Sequence, residues 1–186
     1  TDAPTPVAVT GITSAVAVAA GERHSCALLA DGTVRCWGYR GFTGGFGSFR
    51  SGLMGDGGTG FAPALTPVTV SGIGTAVGIA AAPSHSCALL ADGAVWCWGA
   101  EAYARGQSDI ADVALAPVQV PMSGAVNALS LGDGFTCVSR VGGGVQCLGL
   151  GSQGQLGTGG QVLFGSDSGP SPYPAFSTTP LTVLFP

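Results

Sequence analysis

Short apolar runs punctuated by glycine and proline fill the chain, and none repeats at helical spacing. Ala15-Val16-Ala17-Val18-Ala19-Ala20 and Ala76-Val77-Gly78-Ile79-Ala80-Ala81 are small-residue strands. Each leads into a hairpin whose arms flank Asp31-Gly32 or Asp92-Gly93, a turn pair that accepts positive φ at the glycine. The first hairpin, His24-Ser25-Cys26 through Cys36-Trp37-Gly38, returns almost unchanged as His85-Ser86-Cys87 through Cys97-Trp98-Gly99. A worn third copy runs from Phe135-Thr136-Cys137 to Cys147-Leu148-Gly149 and turns on Gly142-Gly143-Gly144. The offsets between copies, 61 and then 50 residues, place insertions on one side of a fixed unit. A Pro-x-x-Val strand opens each unit, at Pro6, Pro67 and Pro117, and a fourth starts at Pro180. The pattern predicts an all-β protein. Ser108–Leu115 is the sole, weak helix candidate.

Two cysteines ten residues apart sit in every hairpin: Cys26/Cys36, Cys87/Cys97 and Cys137/Cys147. A turn centred near Asp31 sets Cys26 opposite Cys36, and the same count holds in each copy. Six cysteines allow 15 pairings, and the threefold repetition favours the three bridges within hairpins. Six buried free thiols are the other reading. No Cys-x-x-Cys spacing supports a metal site.

Charge and composition narrow the function classes. Only 9% of residues are charged, the net charge is −4, and every cation is arginine. Such a chain has no basic face for nucleic acid or an anionic membrane. At 46% hydrophobic residues it is no disordered chain, despite 33 glycines. No apolar run is long enough to span a bilayer. A first residue Thr1 reads as a mature end after signal-peptide removal or as a boundary chosen in cloning. With paired cysteines it points to an extracellular or cell-surface location.

Pro-Val-x-Val, a small-residue strand, Gly-x-x-His-Ser-x-Ala-Leu, Asp-Gly-x-Val-x-x-Trp-Gly and Gly-Gln-Leu-Gly together resemble the repeats of the regulator of chromosome condensation family. The resemblance implies a propeller-like array of three four-stranded antiparallel blades. Hairpin cysteines suggest its secreted, bacterial-like branch. The repeats divide as 6–66, 67–116 and 117–179, with the start of a fourth over 180–186, in one domain. Three blades cannot close a ring, since propellers have about four to eight. The array is therefore open, or completed by terminal strand exchange between subunits. The family's nucleotide-exchange activity maps to no residue here.

Four opening strands for three hairpins leave one spare, and an unpaired edge is a template for another chain. Pro6, Val7 and Val9 with Pro180, Leu181 and Val183 are the candidate self-assembly strands. Phe42, Phe46 and Phe49, aromatics on a glycine-rich loop, are candidate partner-binding residues. So is Trp96, which stands where the other copies have Arg35 and Gln146. His24 and His85 share a repeat position, but without a third equivalent they make a poor metal site. No Ser/His/Asp order, nucleophile elbow or phosphate loop is present. The sequence reads as a non-enzymatic structural or adhesive subunit, without cofactor or metal, whose partners are copies of itself. The alternatives are a module that binds a cell-surface protein or glycan, and a fragment of a larger propeller.

Overall fold

The computed structural model describes residues 3–43, 49–100, 102–107, 113–159 and 176–183, with the side chains of 42, 43 and 49–51 left aside. Among them are three four-stranded antiparallel sheets and one two-stranded ribbon. Blade 1 is built from β1 (Ala15–Ala20), β2 (His24–Leu29) and β3 (Val34–Gly38). The ribbon β4 (Gly41–Thr43) and β5 (Phe49–Ser51) follows, and β6 (Ala64–Thr69) then returns to pair with β3. Blade 2 is β7 (Ala76–Ala81), β8 (His85–Leu90), β9 (Val95–Gly99) and β10 (Ala114–Gln119). Blade 3 is β11 (Val126–Gly132), β12 (Phe135–Arg140), β13 (Val145–Leu150) and β14 (Phe176–Thr182).

The register repeats row for row. Ala19, Cys26, Cys36 and Val68 stand abreast in blade 1. Ala80, Cys87, Cys97 and Val118 do so in blade 2, and Ser130, Cys137, Cys147 and Leu181 in blade 3. Each cysteine pair is a disulfide across one hairpin, with Cα atoms 4.0–4.1 Å apart, and no cysteine is free. The hairpin turns use Asp31 and Asp92 as expected: each carboxylate accepts the backbone N–H two residues on, from Thr33 and Ala94.

The outer strand of each blade comes from the opening segment of the next sequence repeat. Blades and repeats are thus offset by one strand, and Pro67, Pro117 and Pro180 all lie on outer edges. Proline there removes a ladder donor and blunts the edge. Two expectations are corrected here. The Pro180 strand is not spare: Leu181 pairs with Cys147 and Thr182 with Gln146 inside blade 3. Pro6–Val9, expected to be a strand, forms none, because the described chain offers it no third strand to pair with. Its Val9 is 37% exposed, whereas the equivalent Val70 and Val120 are buried at 1% and 2%, and its Val7 is 72% exposed, whereas Val68 and Val118 are half-buried. Ser108 to Asp112 of the helix candidate lie outside the described residues, and Ala114–Leu115 belong to β10.

Candidate interface at the joints between blades

Side chains alternate across each strand, so every blade has two faces. The outgoing face meets the next blade; the incoming face meets the one before. His24, Cys26, Leu28, Val34 and Cys36 point out of blade 1 toward blade 2. Ala88, Trp96, Trp98 and Ile79 of blade 2 pack against the same core cluster. The second joint repeats this. Cys87, Leu89, Val95 and Cys97 of blade 2 meet Val138, Leu148 and Leu129 of blade 3. Each of these two disulfides is thereby sandwiched between blades.

Two polar contacts recur at these joints. His24 Nε2 is hydrogen-bonded to Ser86 Oγ at 2.7 Å, and His85 Nε2 to Thr136 Oγ1 at 3.2 Å, in each case from one blade to the next. Thr136 Oγ1 gives its only proton to the Ala104 carbonyl at 2.8 Å. His85 Nε2 must therefore be the donor, which leaves Nδ1 as the bare nitrogen, buried without a hydrogen-bond partner. Burial holds the His24 pKa down to about 4. Burial, then Arg105 and His24, hold that of His85 down to about 3. Both imidazoles are neutral structural donors or acceptors, as their repeat position suggested.

The second contact is a tight turn after each hairpin. Gly55 N–H bonds Gly52 C=O, Gly106 N–H bonds Tyr103 C=O, and Gly157 N–H bonds Gly154 C=O. The turn after blade 1 covers blade 2: the indole Nε1–H of Trp98 donates to the Leu53 carbonyl at 3.1 Å. Gly55 must be glycine, at φ +65°, because a Cβ there would sit 2.9 Å from the Trp98 ring. The turn after blade 2 covers blade 3 through Ala104 and Thr136. Sequence reading singled out Gly154-Gln155-Leu156-Gly157 as a motif but missed that Gly52-Leu53-Met54-Gly55 and Tyr103-Ala104-Arg105-Gly106 are its counterparts. Equal spacing of the three closing glycines, Gly55, Gly106 and Gly157, was the signal available.

The incoming face of blade 1 lacks this cover within the described chain. Trp37 is half-buried where Trp98 and Leu148 are fully buried, and Ser25 is half-buried where Ser86 and Thr136 are fully buried. Val18 is 75% exposed, whereas Ile79 and Leu129, at the same register, pack into a core cluster. At the far end, the outgoing face of blade 3 carries an open, mostly apolar depression of about 220 Å³. Cys137, Ser139 and Val145, with Ala128 and Ser130, line it.

Of the candidate partner-binding residues, Trp96 lies in the joint between blades 1 and 2, half-buried against the core cluster. Phe46 lies outside the described residues; Phe42 and Phe49 are backbone members of the β4–β5 ribbon. Among the described residues there is no group of three or more His, Cys, Asp or Glu able to hold a metal ion. Nor is there a helix long and apolar enough to cross a membrane.

Comparison with known proteins agrees with this architecture. A family model for the regulator of chromosome condensation (RCC1) repeat matches residues 15–42 and 77–107. Yeast RCC1 (Prp20), solved bound to Kap60, superposes with a TM-score of 0.69 at 17% identity, over 94% of this chain and 38% of that one. A second structure, Prp20p of Saccharomyces cerevisiae, was described with its binding to Gsp1p and histones. It gives 0.68 at 18% identity, over 94% and 39%. Human WBSCR16 gives 0.64 at 20% identity, over 95% and 39%. The chain thus spans about two-fifths of the length of these propellers. Its first two units match the RCC1 repeat, and the chain is folded as three successive disulfide-bridged blades of an open propeller similar to those of the RCC1 structures.

Proposed function

We propose that this chain is a secreted, non-enzymatic structural module that assembles with copies of itself through its end blades. The observation that carries the reading is the unequal state of equivalent residues. Val7, Val9 and Val18 are exposed and Ser25 and Trp37 half-buried, while each counterpart in the later repeats is more deeply buried. Removing an exposed apolar surface of this kind from water is favourable at roughly 25 cal/mol per Å², and such surfaces mark interaction sites. Three bridges among six cysteines support an oxidising, extracellular setting. A net charge of −4 with few charged residues offers little repulsion between copies.

Strand addition alone does not suffice for self-assembly. Each blade already owns four strands. Pro6–Val9 of one copy could take the place beside β13 in another only by displacing Pro180–Thr182. Packing of blade faces needs no displacement.

A second reading is favoured by the two-fifths coverage of the RCC1-type propellers. In it the end faces are filled by further blades of a longer chain, which binds another extracellular protein or a glycan. Light scattering across a concentration series separates the two. Mass that climbs in steps of one chain supports self-assembly; a constant monomer mass supports the binding module.

A further inference from the structure

We infer that the incoming face of blade 1 is a socket for blade 3 of a second copy, giving a head-to-tail contact that repeats the two joints inside the chain. The inference rests on the self-assembly reading and names its surface. Each internal joint needs a backbone carbonyl from a glycine turn, an apolar outgoing face, and a donor on the incoming face. The carbonyls are those of Leu53 and Ala104, and the donors are Trp98 Nε1 and Thr136 Oγ1.

The chain carries one unused set of each half. Blade 3 is followed by the turn Gly154–Gly157, with the same closing hydrogen bond and a left-handed glycine, Gly157 at φ +65° like Gly55. The carbonyl equivalent to those of Leu53 and Ala104 is that of Gln155, which accepts no bond among the described residues. The same blade carries the open depression over the third disulfide on its outgoing face. Blade 1 offers the complement. Trp37 Nε1 and Ser25 Oγ have no hydrogen-bond partner among the described residues, and Val18 stands where Ile79 plugs the first joint. A second copy brought in by the rotation that relates blade 2 to blade 3 would set Trp37 under Gln155 and Val18 into the depression. One element departs from the pattern: Phe135 replaces the histidine, so this contact would be apolar where the internal ones have an imidazole–hydroxyl bond. Such a contact uses two different surfaces, so it propagates to a ring or a filament.

The test is sedimentation velocity on the oxidised chain and on Trp37→Arg, Ser25→Arg and Gln155→Arg. Far-UV spectra and thiol counts check that each variant is folded. Wild type should grow with concentration, and each variant alone should associate at least ~30-fold more weakly, the loss expected for a charge at an interface centre. An equimolar mixture of Trp37→Arg and Gln155→Arg should give a species of two chains and stop, because each variant keeps one intact end. If the variants associate like wild type, or the mixture never pairs, the socket is wrong while self-assembly stands. A wild type that stays monomeric throughout overturns both.

Discussion

At the residue scale His24 and His85 each tie their blade to a hydroxyl on the next, not to backbone within their own blade. Burial holds their folded pKa values below the usual 6.5 of an imidazole, near 4 and 3. The folded state therefore binds fewer protons than the unfolded chain, and stability is full above about pH 6.5. It falls as pH drops from there toward 4, by on the order of 3 kcal/mol for His24 alone. Melting temperature against pH should show this loss, and His24→Phe, which copies the residue at Phe135, should remove the His24 share of it and leave the share of His85. A melting temperature constant from pH 7 to 4 would contradict neutral, buried imidazoles. The tryptophans should also divide by environment. Trp98→Ala should cost about 3–5 kcal/mol, and Trp37→Ala in the monomer clearly less, measured by urea unfolding. Equal losses would mean that Trp37 is covered. The sequence makes the two tryptophans look alike; only the element lying over Trp98 separates them, and that element comes from another blade.

Each hairpin, at the element scale, is locked by a bridge between directly opposed residues. Closing a loop of this length removes about 3 kcal/mol of unfolded-chain entropy per bridge. Reduction should lower the melting temperature sharply, most simply followed by calorimetry with and without thiol. An unchanged value after all six thiols are titrated would remove the structural role of the bridges. The hairpins were legible because Asp-Gly turns, alternation and cysteine spacing are all local. The outer strands were harder. Pro67-Val68 looks like the start of its own repeat, yet Val68 pairs with Cys36 of the blade before. No local pattern states that offset, since it is set by which edge the returning chain reaches first. For the same reason the sequence does not say which terminal strand is left over: the Pro180 strand is consumed in blade 3, and Pro6–Val9 is not paired.

Three blades at the scale of the whole molecule form an arc with unlike ends, joined by contacts that recur from blade to blade. In repeat arrays stability accumulates from neighbour interfaces, so uncovered end faces are the weakest places. Hydrogen exchange should thus be slowest in β8 and β9, covered on both sides, and faster in β1 and β14. Uniform protection would contradict the joint description. The blade count and the openness of the array could be read from the repeats alone. The identity of the open residues could not, because exposure depends on what a neighbouring blade brings. Deleting residues 1–9 tests the strand contribution separately: assembly by blade faces survives the deletion, and assembly by strand addition does not.

The most direct single measurement is electron microscopy of the native, unconcentrated protein. The account predicts rings or filaments with a regular repeat of one three-bladed chain, joined end to end. Dispersed particles of monomer size would contradict it, and would leave the open end of blade 1 as a binding face for something other than a second copy.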